Sequence, residues 1–448
     1  MAATQAQESE YWSYASSTPS SPLSPIIIPS GVSTPASFAS ETIESRFPNV
    51  STPNTELSES QILPAVDSIL GDQYVLVVGG LGYIGSHTTW ELLKAGHNVV
   101  IVDNLSNSYR DVLQRLELLV KDHYQDCSNV PQLDFYEADY RRVSAMKAIL
   151  KRYDNPYTLK STITSVIHFA AYKAVEESIH QPLKYYSNNV AGLIDFCNLL
   201  DRFDIKTLVF SSSATVYGSQ AKHSSQLHEQ LTSHETTYWT DTTTGATQTT
   251  LAGSTGLTSP YGRTKWMSEA ILSDVAASDP DWSIVALRYF NPIGCDASAV
   301  LGEDPRRTPN NLMPLVIQVM EGQAPELRVF GHDWDTADGT AVRDFIHVSD
   351  LARGHVAAIE VGRSGELEAG FHAINLGTGS GSSVREVVEM MQVVSGRVIR
   401  TRDVARRDGD VGVCVAHPGK AASVLGWRPL KTLEDSCRDI CRYLDAHA

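Results

Sequence analysis

In the stretch SPYGRTKWM, Ser259–Met267, a phenol and an amine side chain stand four residues apart, at Tyr261 and Lys265. If the segment opens a helix, the two share a face. Upstream, SSSATVYG leaves Ser213 at what reads as a strand end. Serine, tyrosine and lysine in this order suit the movement of one proton and one hydride. Ser213 hydrogen-bonds a reacting hydroxyl, Tyr261 takes its proton, and the charge of Lys265, aided by that of a positive nicotinamide, favours the phenolate. One positive charge about 4 Å away, at an effective dielectric near 20, is worth about 4 kcal/mol, or roughly three pK units. A phenol of pKa about 10 then becomes a base usable near pH 7. A lone YxxxK also fits a solvated surface pair, so the elements around it must decide.

The first apolar run, YVLVVGG, leads directly into GGLGYIGSH, in which Gly79, Gly82 and Gly85 make a GxxGxxG loop before a helical pattern. Glycines there let the backbone turn tightly and approach a pyrophosphate, while the helix N-terminus offers amide donors. The next run, NVVIVDN, ends in Asp103. A carboxylate in this place accepts both ribose hydroxyls of an adenosine and repels a 2′-phosphate, which favours NAD over NADP. The alternative is that Asp103 simply caps its turn.

With QLDFYEAD, SVIHFAA and TLVFSSS, these runs alternate with longer amphipathic stretches such as SHTTWELLKAG. That alternation predicts βαβ units and the α/β class, a doubly wound parallel sheet with both faces covered. Its ligands sit at the C-terminal ends of the strands. Residues 71–290 are read as this nucleotide-binding domain, interrupted at 219–257 by a polar insertion that reads as an extended surface loop. Residues 291–448, with Pro305, Pro309 and Pro314 near their start, are read as a smaller α/β substrate lobe. Residues 1–70, rich in Ser, Thr and Pro, lack the apolar surface to offset ordering entropy and are read as a disordered tail.

The net charge of -16 and the lack of a basic patch argue against nucleic acid or an anionic membrane as partner. No run approaches the ~20 apolar residues of a membrane span. The six cysteines are scattered without a zinc pattern, so no metal is expected and reduced thiols in the cytoplasm are the simpler account.

The motifs VGGLGYIGSH, DNLSNS, HFAAYKAVEES, SSSATVYG, SPYGRTK, LRYFNPIG, NNLMP and GTAVRDFIHVSDLARGH occur in this order. From residue 74 to about 440 the chain resembles the extended short-chain dehydrogenase/reductases, and within them the nucleotide-sugar 4-epimerases. The resemblance covers neither the N-terminal tail nor the threonine-rich insertion. It implies that Tyr261 is the catalytic base, Lys265 its partner on the nicotinamide ribose, and Ser213 the holder of the sugar hydroxyl. It implies NAD contacts at Tyr83 and Ile84, at Asp103, Asn104, Leu105, Ser106, Asn107 and Ser108, and at Asp139 and Tyr140. Further NAD contacts fall on Phe169, Ala170, Ala171, Tyr172 and Lys173, and on Asn188 and Phe290. A UDP-hexose is implied at Asn291, Asn311, Leu312, Arg328, Val329, Phe330, Arg343, Arg407 and Asp410, where arginines suit a pyrophosphate. The implied chemistry is a reversible redox cycle through a 4-keto sugar that turns about its link to UDP, in a homodimer.

Two departures stand out. Val78 replaces a threonine often found before the glycines, and Cys414 stands where some members carry a tyrosine against the sugar. A small residue at 414 implies that N-acetylated UDP-hexosamines are also accepted. The rival expectations are a dehydratase or decarboxylase sharing the YxxxK core, and a non-catalytic NAD sensor. Elimination needs an acid and a base beside Ser213, where Ala214 and Thr215 stand instead.

Overall fold

The computed structural model describes residues 72–448 apart from 223, 241–244, 307, 308, 310 and 408. The expected tail therefore lies outside the described residues. Seven strands form the central sheet: β1 Tyr74–Val78, β2 Asn98–Asp103, β3 Leu133–Glu137, β4 Ile163–His168, β5 Thr207–Ser211, β6 Ser283–Tyr289 and β7 Gly370–Leu376. Their spatial order is β7-β6-β5-β4-β1-β2-β3, and every pairing is parallel.

Alternate residues of one strand feed opposite sides, as the two-residue period requires. Val75 and Val77 pack with Leu92 and Leu93 of helix α1, Tyr83–Lys94. Leu76 and Val78 pack on the other side with Leu193, Phe196 and Leu272. All five β1 residues are consequently buried, and the runs read as continuous apolar rather than alternating. The strand order reverses between β1 and β4, which opens a crevice at their C-terminal ends.

Strand β7 departs from the expected boundary, because it arises within the segment assigned to the substrate lobe yet completes the sheet beside β6. The helix before it, α3 (Val348–Ser364), packs against α1. Pairing β7 covers backbone groups that β6 would otherwise leave at an open edge.

A second core lies outside the sheet, where Val316, Val329, Met391 and Ile440 pack together. Around it stand the helices Leu312–Met320, Val384–Ser395 and Leu433–Ala446, and the parallel pair Leu327–Phe330 with Thr401–Val404. Among the described residues no helix is long and apolar enough to cross a membrane.

The insertion is only partly a surface loop. Thr237–Thr240 and Thr247–Thr250 form an antiparallel hairpin with exposed residues. Ahead of it, Leu227, Glu229 and Thr232 are buried, and Leu227 N–H donates to the Val415 carbonyl at 2.8 Å. These polar residues turn inward because the interior offers them partners, as described next.

Candidate active site

Ser259 accepts a hydrogen bond from Gly262 N–H at 3.1 Å and caps the N-terminus of helix α2, Pro260–Ser278. Proline at the first helical position supplies the fixed φ that a first turn needs. Tyr261 therefore lies in the first turn and Lys265 one turn later, and both are buried, 9% and 3% exposed. They are not a solvated surface pair.

Ser213 follows β5 by two residues. Its Oγ accepts from the Thr215 hydroxyl at 3.1 Å and from Thr215 N–H at 3.3 Å. It also hydrogen-bonds the Tyr261 phenol, which opposes the upward push of burial on that group. Lys265 does something other than expected: its ammonium donates to the Ser211 carbonyl and lies 4.8 Å from the centre of the Phe210 ring. Burial brings Lys265 down to about 7, against the pull of Glu269. Burial raises Tyr261 overall, because taking a phenolate out of water disfavours its charged form.

The glycine loop meets α1 at close quarters. Gly79 has φ +83°, and a Cβ on Gly85 would lie 2.2 Å from the Gly79 carbonyl oxygen. No side chain caps the helix at Gly82, so the amides that open α1 at Tyr83 and Ile84 face the crevice without one. These features fit a dinucleotide pyrophosphate. Tyr83 reaches away from the loop, its hydroxyl donating to the Gly294 carbonyl at 2.7 Å.

Asp103 caps its turn, the alternative weighed for it. Its Oδ2 accepts from Leu81 N–H at 3.0 Å, and its Oδ1 accepts from Leu105 N–H at 2.9 Å and from the Ser108 hydroxyl at 2.8 Å. A carboxylate offers about four acceptor positions, so capacity remains for a ribose hydroxyl. Asn104, Ser106 and Asn107 ring this turn, and Asn104 Oδ1 accepts from Ser106 N–H.

Asp139 is held low chiefly by Arg141, with Asn104 also bonded to it. Tyr140 is buried, and its hydroxyl donates to the Asn188 carbonyl. Phe169 and Ala170 continue β4, both amides donating to the Val78 carbonyl at the end of β1. Ala171, Tyr172 and Lys173 follow along the crevice, with Lys173 4.0 Å from Glu303.

Across the crevice, Arg407 lies 4.6 Å and Arg328 5.6 Å from the centre of the Phe330 ring. Arg407 Nε donates to Asp410 at 3.0 Å, and Arg343 approaches the other oxygen of the same carboxylate at 4.0 Å. Three guanidinium groups thus gather around one aromatic ring and one carboxylate. Val329 stands apart: it is 1% exposed and faces the lobe's own core, so only its backbone borders this cluster. Asn291 N–H donates to the Asp344 carbonyl at 3.0 Å, Phe290 is buried, and Asn311 immediately precedes the helix that Leu312 begins, without a side-chain cap bond. Asn311 also bonds Glu303. Cys414 lies opposite Arg343 in a short strand pair, beside Phe290 and Tyr217, and burial pushes its thiol up to about 11.

Two sets of residues were missed by sequence reasoning. Asn189, in a π-helical turn over Ser187–Ala191, ties the crevice to the catalytic helix. Its side chain accepts from Tyr172 N–H at 2.9 Å and from Asn188 at 2.8 Å, and donates to the Thr264 hydroxyl at 3.0 Å. The pair SNNV inside a helical pattern was its signal. The second set is a buried ion pair, Glu269 with Arg288, signalled by one arginine in the apolar run SIVALRYF.

This fold and these motifs define a class. The model of the NAD dependent epimerase/dehydratase family matches residues 75–377, and the chain belongs to that family. The chain is 43% identical over 372 residues to UDP-glucose 4-epimerase of Dictyostelium discoideum, covering 83% of this chain and 96% of that protein. Among solved structures, UDP-glucose-4-epimerase from Stenotrophomonas maltophila with bound NAD and formylated UDP-arabinopyranose is similar at 40% identity and a TM-score of 0.69. The match covers 84% of this chain and 98% of that one. The Bifidobacterium longum UDP-glucose 4-epimerase with NAD+ and UDP is similar at 37% identity and a TM-score of 0.70, covering 84% and 98%.

Proposed function

We propose that this chain interconverts UDP-galactose and UDP-glucose, the UDP-glucose 4-epimerase reaction, with NAD as a resident cofactor. The observation that carries this is the convergence of Ser213, Tyr261 and Lys265 at the end of β5, in a sheet whose first strand leads into an uncapped glycine loop. NAD held at the glycine loop would supply the hydride acceptor and donor for the sugar carbon.

The protein's own residues do the rest. Ser213 holds the 4-hydroxyl, and Tyr261 takes its proton and later gives one back. Lys265 orients the nicotinamide ribose. Because burial keeps the Tyr261 phenol up, its deprotonation draws on the positive charge of Lys265 together with that which a bound nicotinamide would supply. Arg343 and Arg407 grip the pyrophosphate while the sugar turns. Thr215 hydrogen-bonds Ser213, and neither it nor Ala214 is the acid or base that a dehydratase places there.

Incubating the purified protein with UDP-galactose, without added NAD, tests this. UDP-glucose is the expected product; an unchanged substrate or a dehydrated keto sugar overturns the proposal.

The small side chain of Cys414, where some family members carry a tyrosine, also favours turnover of UDP-GalNAc and UDP-GlcNAc. Turnover of UDP-GalNAc below detection, alongside robust UDP-galactose turnover, dismisses this extension. A homodimer in the cytoplasm completes the proposal. Val175, Ile179, Leu183 and Ile194, on successive helices, are 43%, 54%, 80% and 42% exposed, and an apolar surface of this kind suits a second copy. All six cysteines are free, as a reducing compartment keeps them. A monomeric mass in light scattering removes the dimer.

A further inference from the structure

Glu269 sits one turn beyond Lys265 on helix α2, on the same face, and is fully buried. Every nearby donor converges on its carboxylate. Arg288 of β6 bonds both oxygens, Nε at 3.0 and 3.2 Å and a terminal nitrogen at 2.6 Å. The Ser212 hydroxyl, adjacent to Ser213, donates to Oε1. His234, from the inserted segment, donates through Nε2 to Oε2 at 3.0 Å.

The inserted segment also finishes the arginine. Arg288 donates to the Glu229 carbonyl at 3.0 Å and to the Thr232 carbonyl at 3.1 Å, with the Tyr217 hydroxyl at 3.4 Å. A buried ion pair is tolerable only when its remaining donors and acceptors are met, and here the stretch 229–234 meets them.

We infer that Glu269, clamped by His234 and Arg288, is a positioning residue that fixes Ser212 beside Ser213. This rests on the epimerase proposal above, and it assigns a role to the insertion that its surface-loop character concealed. Ser212 and Ser213 are adjacent just past the end of β5, so a carboxylate that holds the Ser212 hydroxyl holds the stretch of chain that presents Ser213.

The test compares the wild type with Glu269→Gln/Arg288→Met, which removes the pair as a unit and strands no buried charge. NAD content and melting temperature check the fold of each protein. In the folded double variant, kcat for UDP-galactose should fall severalfold with KM unchanged. His234→Ala, which leaves both charges in place, should lower kcat severalfold with KM unchanged, and His234→Gln, whose amide still donates, should restore it. A kcat equal to wild type in the folded double variant or in His234→Ala overturns the inference; if the double variant fails to fold, the His234 series alone decides. A wild type that leaves UDP-galactose untouched strikes the epimerase proposal instead.

Discussion

Lys265 gives its ammonium to the Ser211 carbonyl and leaves the Tyr261 phenol to Ser213. The lysine is thus anchored to the strand end rather than to the tyrosine, which keeps it aimed at the crevice and leaves the phenol protonated until further positive charge arrives. Proton transfer through Tyr261 therefore belongs to the loaded enzyme. Replacing Tyr261 by Phe keeps the ring's packing and removes the transferable proton. The expected loss in kcat is about 10²–10⁴-fold, with UDP affinity by calorimetry unchanged.

Gly85→Ala tests the glycine loop. Alanine for glycine inside a helix ordinarily stabilises by about 1 kcal/mol. Here the new Cβ would stand 2.2 Å from a backbone oxygen and 2.9 Å from the Gly80 Cα, and backbone atoms cannot swing aside as a side-chain tip can. Overpacking costs about 1–3 kcal/mol and wins. A lower melting temperature and purified protein depleted in NAD, read by absorbance, are the expected outcomes.

Arg343→Ala separates binding from chemistry. The guanidinium lies in the arginine cluster, away from the proton-moving groups, and a hydrogen bond to a charged partner is worth about 1.5–3 kcal/mol. KM for UDP-galactose should rise by roughly 10- to 100-fold with kcat nearly unchanged, as uniform binding predicts.

Asp439 gives a pH-dependent stability test remote from the reaction. Its carboxylate accepts from His347 at 3.1 Å, Lys431 at 2.6 Å and Arg442 at 2.9 Å, which hold it down to about 2 despite burial. A lowered folded-state value means that its stabilisation is complete above the unfolded value of about 3.9 and is lost as pH falls toward about 2. Asp439→Asn should cost about 1–3 kcal/mol at pH 7. In denaturant titrations the gap to wild type should hold steady above about pH 4 and narrow below it.

Much of this architecture was legible because a strand buried on both faces must be apolar throughout, as YVLVV and NVVIV are. Strand β7 escaped because GFHAINL carries His372 and Asn375. Asn375 is nonetheless fully buried, its amide donating to the Leu227 carbonyl at 2.7 Å. The stretch HEQLTSH escaped for the same reason: its polar groups serve Arg288 and Glu269 rather than water, and periodicity cannot tell the two uses apart. Asp103, Ser213, Tyr261 and Lys265 were readable from type and spacing after a strand or at a helix start. The charge of Lys265 relative to Tyr261 was not, since it depends on where an ammonium points.

The central claim is that one hydride leaves C4 of the sugar and returns to it without escaping the site. UDP-galactose carrying deuterium at C4, turned over by the purified protein without added NAD, tests this by mass and NMR analysis of the UDP-glucose formed. The account predicts that deuterium stays at C4 through many turnovers. Washout of the label into water would contradict it.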